Sequence, residues 1–169
     1  MAQMREAELE QLYARLEKPL YNVVYRWLWD VNQSRDVVQE AFLRCWKKRE
    51  HIKPDGFKAF VFKTALNLAS NESRRKRLWQ FVSISPENAG ESGHDAEATF
   101  LSKPLRSAID GLPEQLKRVL LLSEIAGMSY REIAVVTGVK EGTVGSRRSR
   151  ALAMLRARLE IQGVNWDES

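Results

Sequence analysis

Apolar residues recur at steps of three and four through the first eighty positions of the chain. Leu9, Leu12, Tyr13 and Leu16 form one stripe. Pro19 opens a second segment, followed by Leu20, Val23, Val24, Trp27 and Leu28. Val37, Val38, Ala41, Phe42, Cys45 and Trp46 form a third, and Phe57, Phe60, Val61, Ala65, Leu68 and Ala69 a fourth. Such steps predict amphipathic helices. Breaks are expected at "DVNQS" and "KPDG", where Pro54 and Gly56 punctuate the chain. The strict alternation of a half-buried strand does not occur, so the expected class is all-α.

The pattern lapses between Ser83 and Pro104. This stretch is rich in Ser, Gly, Glu and Asp and poor in apolar residues, as in a flexible acidic linker. The 21 residues from Ser83 to Lys103 span at most about 70 Å and as a coil about 25 Å. Helical periodicity returns at Leu105 and runs to about Leu159, ahead of a tail expected to fray. The predicted organisation is a helical bundle over 1–82, a linker over 83–104 and a second helical domain over 105–161.

In that second domain Leu112, Leu116, Val119, Leu120 and Ile125 line a helix that begins after "GLP". Ser129 and Glu132 make a capping box. Ile133, Ala134, Val136 and Val139 can pack inward, Gly138 supplies a turn, and Val144, Leu152 and Leu155 anchor a following helix. These intervals predict a helix-turn-helix. Its second helix enters a major groove with its N-terminal half. Thr143, Ser146, Arg147, Ser149 and Arg150 are the candidate reading residues, because arginine pairs with guanine and hydroxyls reach bases or phosphates. Arg148, Arg156 and Arg158 are expected to meet phosphate or solvent.

Charge sharpens this picture only slightly. Of 169 residues, 27 are Lys or Arg and 22 Asp or Glu, for a net charge of +5. That favours an anionic partner without naming one. The single cysteine, Cys45, excludes an internal disulfide and is expected in the core, with a redox role left open. His51 and His94 stand far apart, with no nucleophile arrangement, metal-ligand spacing or phosphate-binding glycine loop. No catalytic residue, metal or cofactor is expected, and a nuclease would need clustered acids or histidines. No apolar run approaches a membrane span and the N-terminus has no signal core. A cytoplasmic, monomeric protein without membrane insertion is expected.

Three segments carry a resemblance. "SRDVVQEAFLRCWKK" resembles the D-x-x-Q-E-x-F segment of region 2 in bacterial sigma factors. "GFKAFVFKTALNLASNESRRKR" is similar to the aromatic helix that follows, with its A-x-N and arginines. "LPEQLKRVLLLSEIAGMSYREIAVVTGVKEGTVGSRRSRA" resembles region 4. The order, and the lack of regions 1 and 3, resemble the extracytoplasmic-function (ECF) sigma factors. The resemblance implies that Asp36, Gln39, Glu40 and Arg44 dock on the β′ clamp helices of core RNA polymerase, with the β flap as a further contact. It implies that the loop holding His51, Ile52, Lys53 and Asp55, with Phe60, Lys63, Asn67, Asn71 and Arg74, captures the promoter −10 element as it opens. It assigns the −35 element to Thr143, Ser146, Arg147, Ser149 and Arg150, and implies an anti-sigma factor as regulator.

The residues themselves support part of this. Asp36, Gln39 and Glu40 fall at i, i+3 and i+4 and share one helix face. Aromatic and amide groups beside cations suit a single strand, and trapping an unpaired base needs binding energy, not covalent chemistry. The sequence departs from the family at Phe60, where Trp is frequent; at Lys140, in place of a Ser cap; and at Gly145, in place of Lys or Arg. The competing reading is a stand-alone helix-turn-helix regulator, which would need neither the Asp36–Glu40 face nor Asn67.

Overall fold

The computed structural model describes residues 4–82 and 102–163. They form seven α-helices in two compact units. The first unit holds α1 (Glu6–Leu28), α2 (Val31–Lys47) and α3 (Phe57–Val82). The second holds α4 (Ser102–Asp110), α5 (Glu114–Glu124), α6 (Tyr130–Thr137) and α7 (Glu141–Ile161). No strand occurs among the described residues, as the all-α reading expects. Most of the proposed linker, residues 83–101, lies outside the described residues, as does the tail after 163.

In the first unit the three helices pack on one another around Leu16, Leu20, Val23, Val24, Ala41, Cys45, Val61, Phe62 and Leu66, all nearly or fully buried. Pro19 does not open a new segment; it lies inside α1. A proline there loses one hydrogen bond and costs about 3 kcal/mol. Leu16 and Leu20, on either side of it, are buried and each contributes roughly 1.5–3 kcal/mol. Burial therefore outweighs the break.

α1 ends on Trp29 in the left-handed region (φ 54°, ψ 28°), and its N–H donates to the Tyr25 carbonyl at 2.6 Å. Asp30 then caps α2, its Oδ1 accepting the Gln33 N–H at 2.9 Å. The break expected over "DVNQS" thus shrinks to Trp29 and Asp30. The "KPDG" break is real and consists of two short 3₁₀ turns, Arg49–His51 and Pro54–Gly56.

The buried face of α3 is Phe57, Val61, Phe62, Ala65, Leu66, Ala69 and Ser70. Phe60 and Leu68, expected in that stripe, are half-buried flanks. No residue from Asn71 to Val82 is buried, so the helix runs on past its core for about 18 Å.

The second unit centres on α5, whose Leu116, Val119, Leu120, Leu121 and Leu122 are buried. Ala108 and Ile109 of α4 and Ile133 and Val136 of α6 join them. α7 contributes Val144, Ala151 and Leu159, a narrow seam of one residue every second turn. Leu152 and Leu155 flank the seam half-buried, and Ile125, Ala134 and Val139 are also half-buried. The capping box is present: Ser129 Oγ accepts the Glu132 N–H at 3.1 Å, and Glu132 Oε1 accepts the Ser129 N–H at 3.2 Å. Gly138 ends α6 at φ 71° and donates to the Ala134 carbonyl at 2.8 Å. α5, α6 and α7 make a helix-turn-helix within a four-helix unit.

Candidate functional site

Three surfaces hold the residues singled out in the sequence. The first is on α2. Asp36, Gln39 and Arg44 are exposed and Glu40 is half-buried. Successive steps of 100° put all four on one face. Glu40 Oε1 accepts from Arg44 Nε at 2.9 Å, so the carboxylate is held by its own helix. Phe42 does not belong to this face: it is buried, with Tyr13 edge-on to it at 4.8 Å. The apolar member is Leu43, 45 % exposed and one turn beyond Gln39 and Glu40. Sequence reasoning missed it, although its i+3 and i+4 spacing from the polar pair carried the signal. A carboxylate pair around an exposed leucine suits a partner helix that is basic and partly apolar.

The second surface is the loop after α2 with the outer face of α3. Arg49 Nη1 donates to the Trp46 carbonyl at 2.8 Å, and its guanidinium lies 3.9 Å over the Trp46 ring. That cation–π contact fixes the start of the loop. His51, Lys53 and Asp55 are exposed and Ile52 is half-buried. The Gly56 N–H donates to the Lys53 carbonyl at 2.8 Å, closing the second turn. On α3, Lys63, Asn67, Asn71 and Arg74 are exposed and Phe60 half-buried. Their steps of three, four, four and three keep all five within about 80° of helix circumference. Phe62, fully buried, belongs to the core and not to this stripe.

The third surface is the first half of α7. Ser146, Ser149 and Arg150 are exposed, and Thr143 and Arg147 half-buried. Thr143, Ser146, Arg147 and Arg150 fall within about 100° of helix circumference; half-buried Arg147 borders the Val144–Ala151 seam, and Ser149 lies at the far edge. Ser146 Oγ donates to the Thr143 carbonyl at 3.1 Å. Lys140 occupies the N-cap without a side-chain bond, as its lack of an acceptor requires.

Two arginines also make contacts within the unit while staying exposed or partly exposed. Arg148, partly exposed, pairs with Glu124 Oε1 at 2.6–2.7 Å through Nη2 and Nε. Those bonds raise its already high pKa. Arg158 packs over Gly111, where any side chain would collide with its guanidinium. Cys45 is fully buried, and burial pushes its thiol up to about 11. It stays protonated at neutral pH, which removes the redox reading. Among the described residues no cluster of acids, His or Cys could hold a metal, and no helix is long and apolar enough to cross a membrane.

Comparison with known proteins bears directly on these surfaces. The family model for sigma-70 region 2 matches residues 12–78, which contain the first two surfaces. That for sigma-70 region 4 matches residues 102–155, which contain the third. The ECF RNA polymerase sigma-E factor of Escherichia coli K12 is 34 % identical over 130 residues, covering 69 % of this chain and 68 % of the relative. The chain belongs to the ECF sigma factors. The ECF RNA polymerase sigma factor SigE of Mycolicibacterium smegmatis is 28 % identical over 146 residues; the match covers 81 % of this chain and 56 % of that longer relative. The sigma factor is also similar to CnrH in a complex with the cytosolic domain of CnrY. That match has a TM-score of 0.73 and 25 % identity, over 93 % of this chain and 90 % of the other. It shares its fold with RpoE of Bartonella quintana, solved with the anti-sigma factor NepR, at a TM-score of 0.67 and 22 % identity.

Proposed function

We propose that this sigma factor binds core RNA polymerase, directs it to promoters through −35 and −10 elements, and helps the −10 element open. Asp36, Gln39, Glu40 and Arg44, with Leu43 at their centre, dock on the β′ clamp helices. The β flap is the second polymerase contact. Thr143, Ser146, Arg147, Ser149 and Arg150 read the −35 element as duplex. His51, Ile52, Lys53 and Asp55, with Phe60, Lys63, Asn67, Asn71 and Arg74, hold the −10 strand.

The observation that carries this reading is the α3 stripe. Aromatic, amide and cationic groups in one line match the alternation of bases and phosphates along a single strand, and a duplex-only regulator has no use for them. Unpairing costs a few kcal/mol, which contacts made only with the extruded base offset. An anti-sigma factor is the proposed regulator, covering the polymerase-binding surfaces of both units. The factor acts in the cytoplasm, where polymerase and promoters are.

The test is capture of purified bacterial core RNA polymerase by the wild-type chain and by folded Glu40→Ala. Strong capture that falls in the variant supports the proposal. No capture by folded wild type moves the assignment to the stand-alone helix-turn-helix regulator.

A further inference from the structure

We infer that Glu124, Tyr130 and Arg148 form a clasp that sets the pose of α7 in the major groove and so acts in −35 discrimination. The inference rests on the proposed promoter reading. Glu124 is the last residue of α5, Tyr130 the first of α6, and Arg148 lies two turns into α7. The Arg148 guanidinium engages all three nitrogens. Nε and Nη2 meet Glu124 Oε1 at 2.7 and 2.6 Å, and Nη1 donates to Tyr130 Oη at 3.4 Å. The Ser123 hydroxyl donates to the same carboxylate oxygen at 3.3 Å.

The rest of α7 makes such a device useful. Its fully buried seam is Val144, Ala151 and Leu159, and half-buried Leu152, Met154 and Leu155 pack on the core beside Ala151. All but Val144 of these lie beyond Arg148, so the first two turns of α7 are held by one buried side chain and resist rolling about the helix axis poorly. Arg148 lies one turn past Val144 and one turn before Ala151 on the same face, where its tether to two other helices opposes that roll. Gly145 completes the arrangement. A Cβ there would stand 3.3 Å from the Tyr130 ring, tighter than ordinary contact, so an added methyl would press on the ring. Arg147 and Arg150 lie within two residues of Arg148 along α7, and a paired contact to guanine tolerates only about 10–20° of misorientation. Pairing Arg148 within the unit also keeps a third cation from pulling the helix toward phosphate.

The assay is competition, by the full chain with core RNA polymerase, between a promoter taken from its own start sites and one with a scrambled −35 element. Glu124→Gln and Tyr130→Phe are expected to narrow wild-type discrimination about threefold and Arg148→Leu about tenfold, partial losses against the roughly 5- to 150-fold that one good base contact supplies. Gly145→Ala is expected to narrow it as well, although alanine favours the helix; a merely structural role predicts no such loss. The salt slope of binding stays at the wild-type value, because a clasp touches no phosphate.

Unchanged discrimination in all four folded variants overturns the inference. So does a salt slope that falls by about 0.9 in Arg148→Leu, which marks a phosphate contact. A wild type that shows no polymerase-dependent discrimination overturns the promoter reading itself, and the clasp with it.

Discussion

Two glycines four residues apart should respond to alanine with opposite signs. Gly138 lies at φ 71°, and nothing stands within 4 Å of the place a Cβ would take, so sterics with neighbours play no part there. The cost of alanine is the left-handed backbone alone, about 1–2 kcal/mol. The reduced entropy of the unfolded chain returns roughly 0.4–1 kcal/mol. The net expectation for Gly138→Ala is a loss of about 1 kcal/mol. Gly142 lies in the first turn of α7 and also has open space around its Cβ position. There alanine gains helix propensity, up to about 1 kcal/mol. Hydrogen exchange of the α6 and α7 amides reads the second unit by itself. Protection should fall in Gly138→Ala and rise in Gly142→Ala. Equal signs, or a stabilising Gly138→Ala, would refute the left-handed turn and with it the helix-turn-helix register.

Other consequences are as direct. Ser34 Oγ is fully buried with no hydrogen-bond partner among the described residues. Ser34→Ala should therefore stabilise the first unit by about 1 kcal/mol in urea melts. Cys45 should resist thiol reagents in the native state and react on unfolding. Because its folded pKa is raised from 9.0 to about 11, its contribution to stability is full below pH 9 and is lost as pH climbs toward 11; Cys45→Ala should flatten that part of the alkaline stability profile. Arg150→Ala should weaken promoter discrimination by about 1–3 kcal/mol, and unchanged preference in a binding competition would remove its base contact. Asn67→Ala should impair open-complex formation more than polymerase docking, and equal losses would count against a role in trapping the −10 base.

Periodicity carried most of the fold, because helices with one buried face announce it at steps of three and four. It failed where tertiary burial overrode a local signal. Pro19 reads as a boundary, yet Leu16 and Leu20 hold α1 through it. In α3 Phe57, Val61, Ala65 and Ala69 are buried as expected, but the flank of the stripe is Phe62 and Leu66, not Phe60 and Leu68, since these are equally apolar and only packing against α1 and α2 decides which is buried. α7 showed the limit of counting hydrophobic residues: Ala151, small and easily overlooked, is the fully buried member of the cluster on which Leu152 and Leu155 pack half-buried.

The candidate surfaces were legible for a different reason. Their motifs occur as residues at fixed spacing on single helices, so one helix places a whole set. Asp36, Gln39, Glu40 and Arg44 needed no tertiary information to be grouped. Arg148 did, because its partners Glu124 and Tyr130 lie 24 and 18 residues away. An arginine run looks uniformly available in sequence, and only the folded unit shows which member is already paired.

The central claim is that one chain gives core RNA polymerase its promoter choice. Its most direct test is to map transcript starts made by purified core enzyme on a genomic fragment library, with and without the sigma factor. The account predicts a discrete set of starts that appears only when the chain is added and shares upstream −35 and −10 sequences. Starts that are the same with and without a folded, core-bound chain would contradict it.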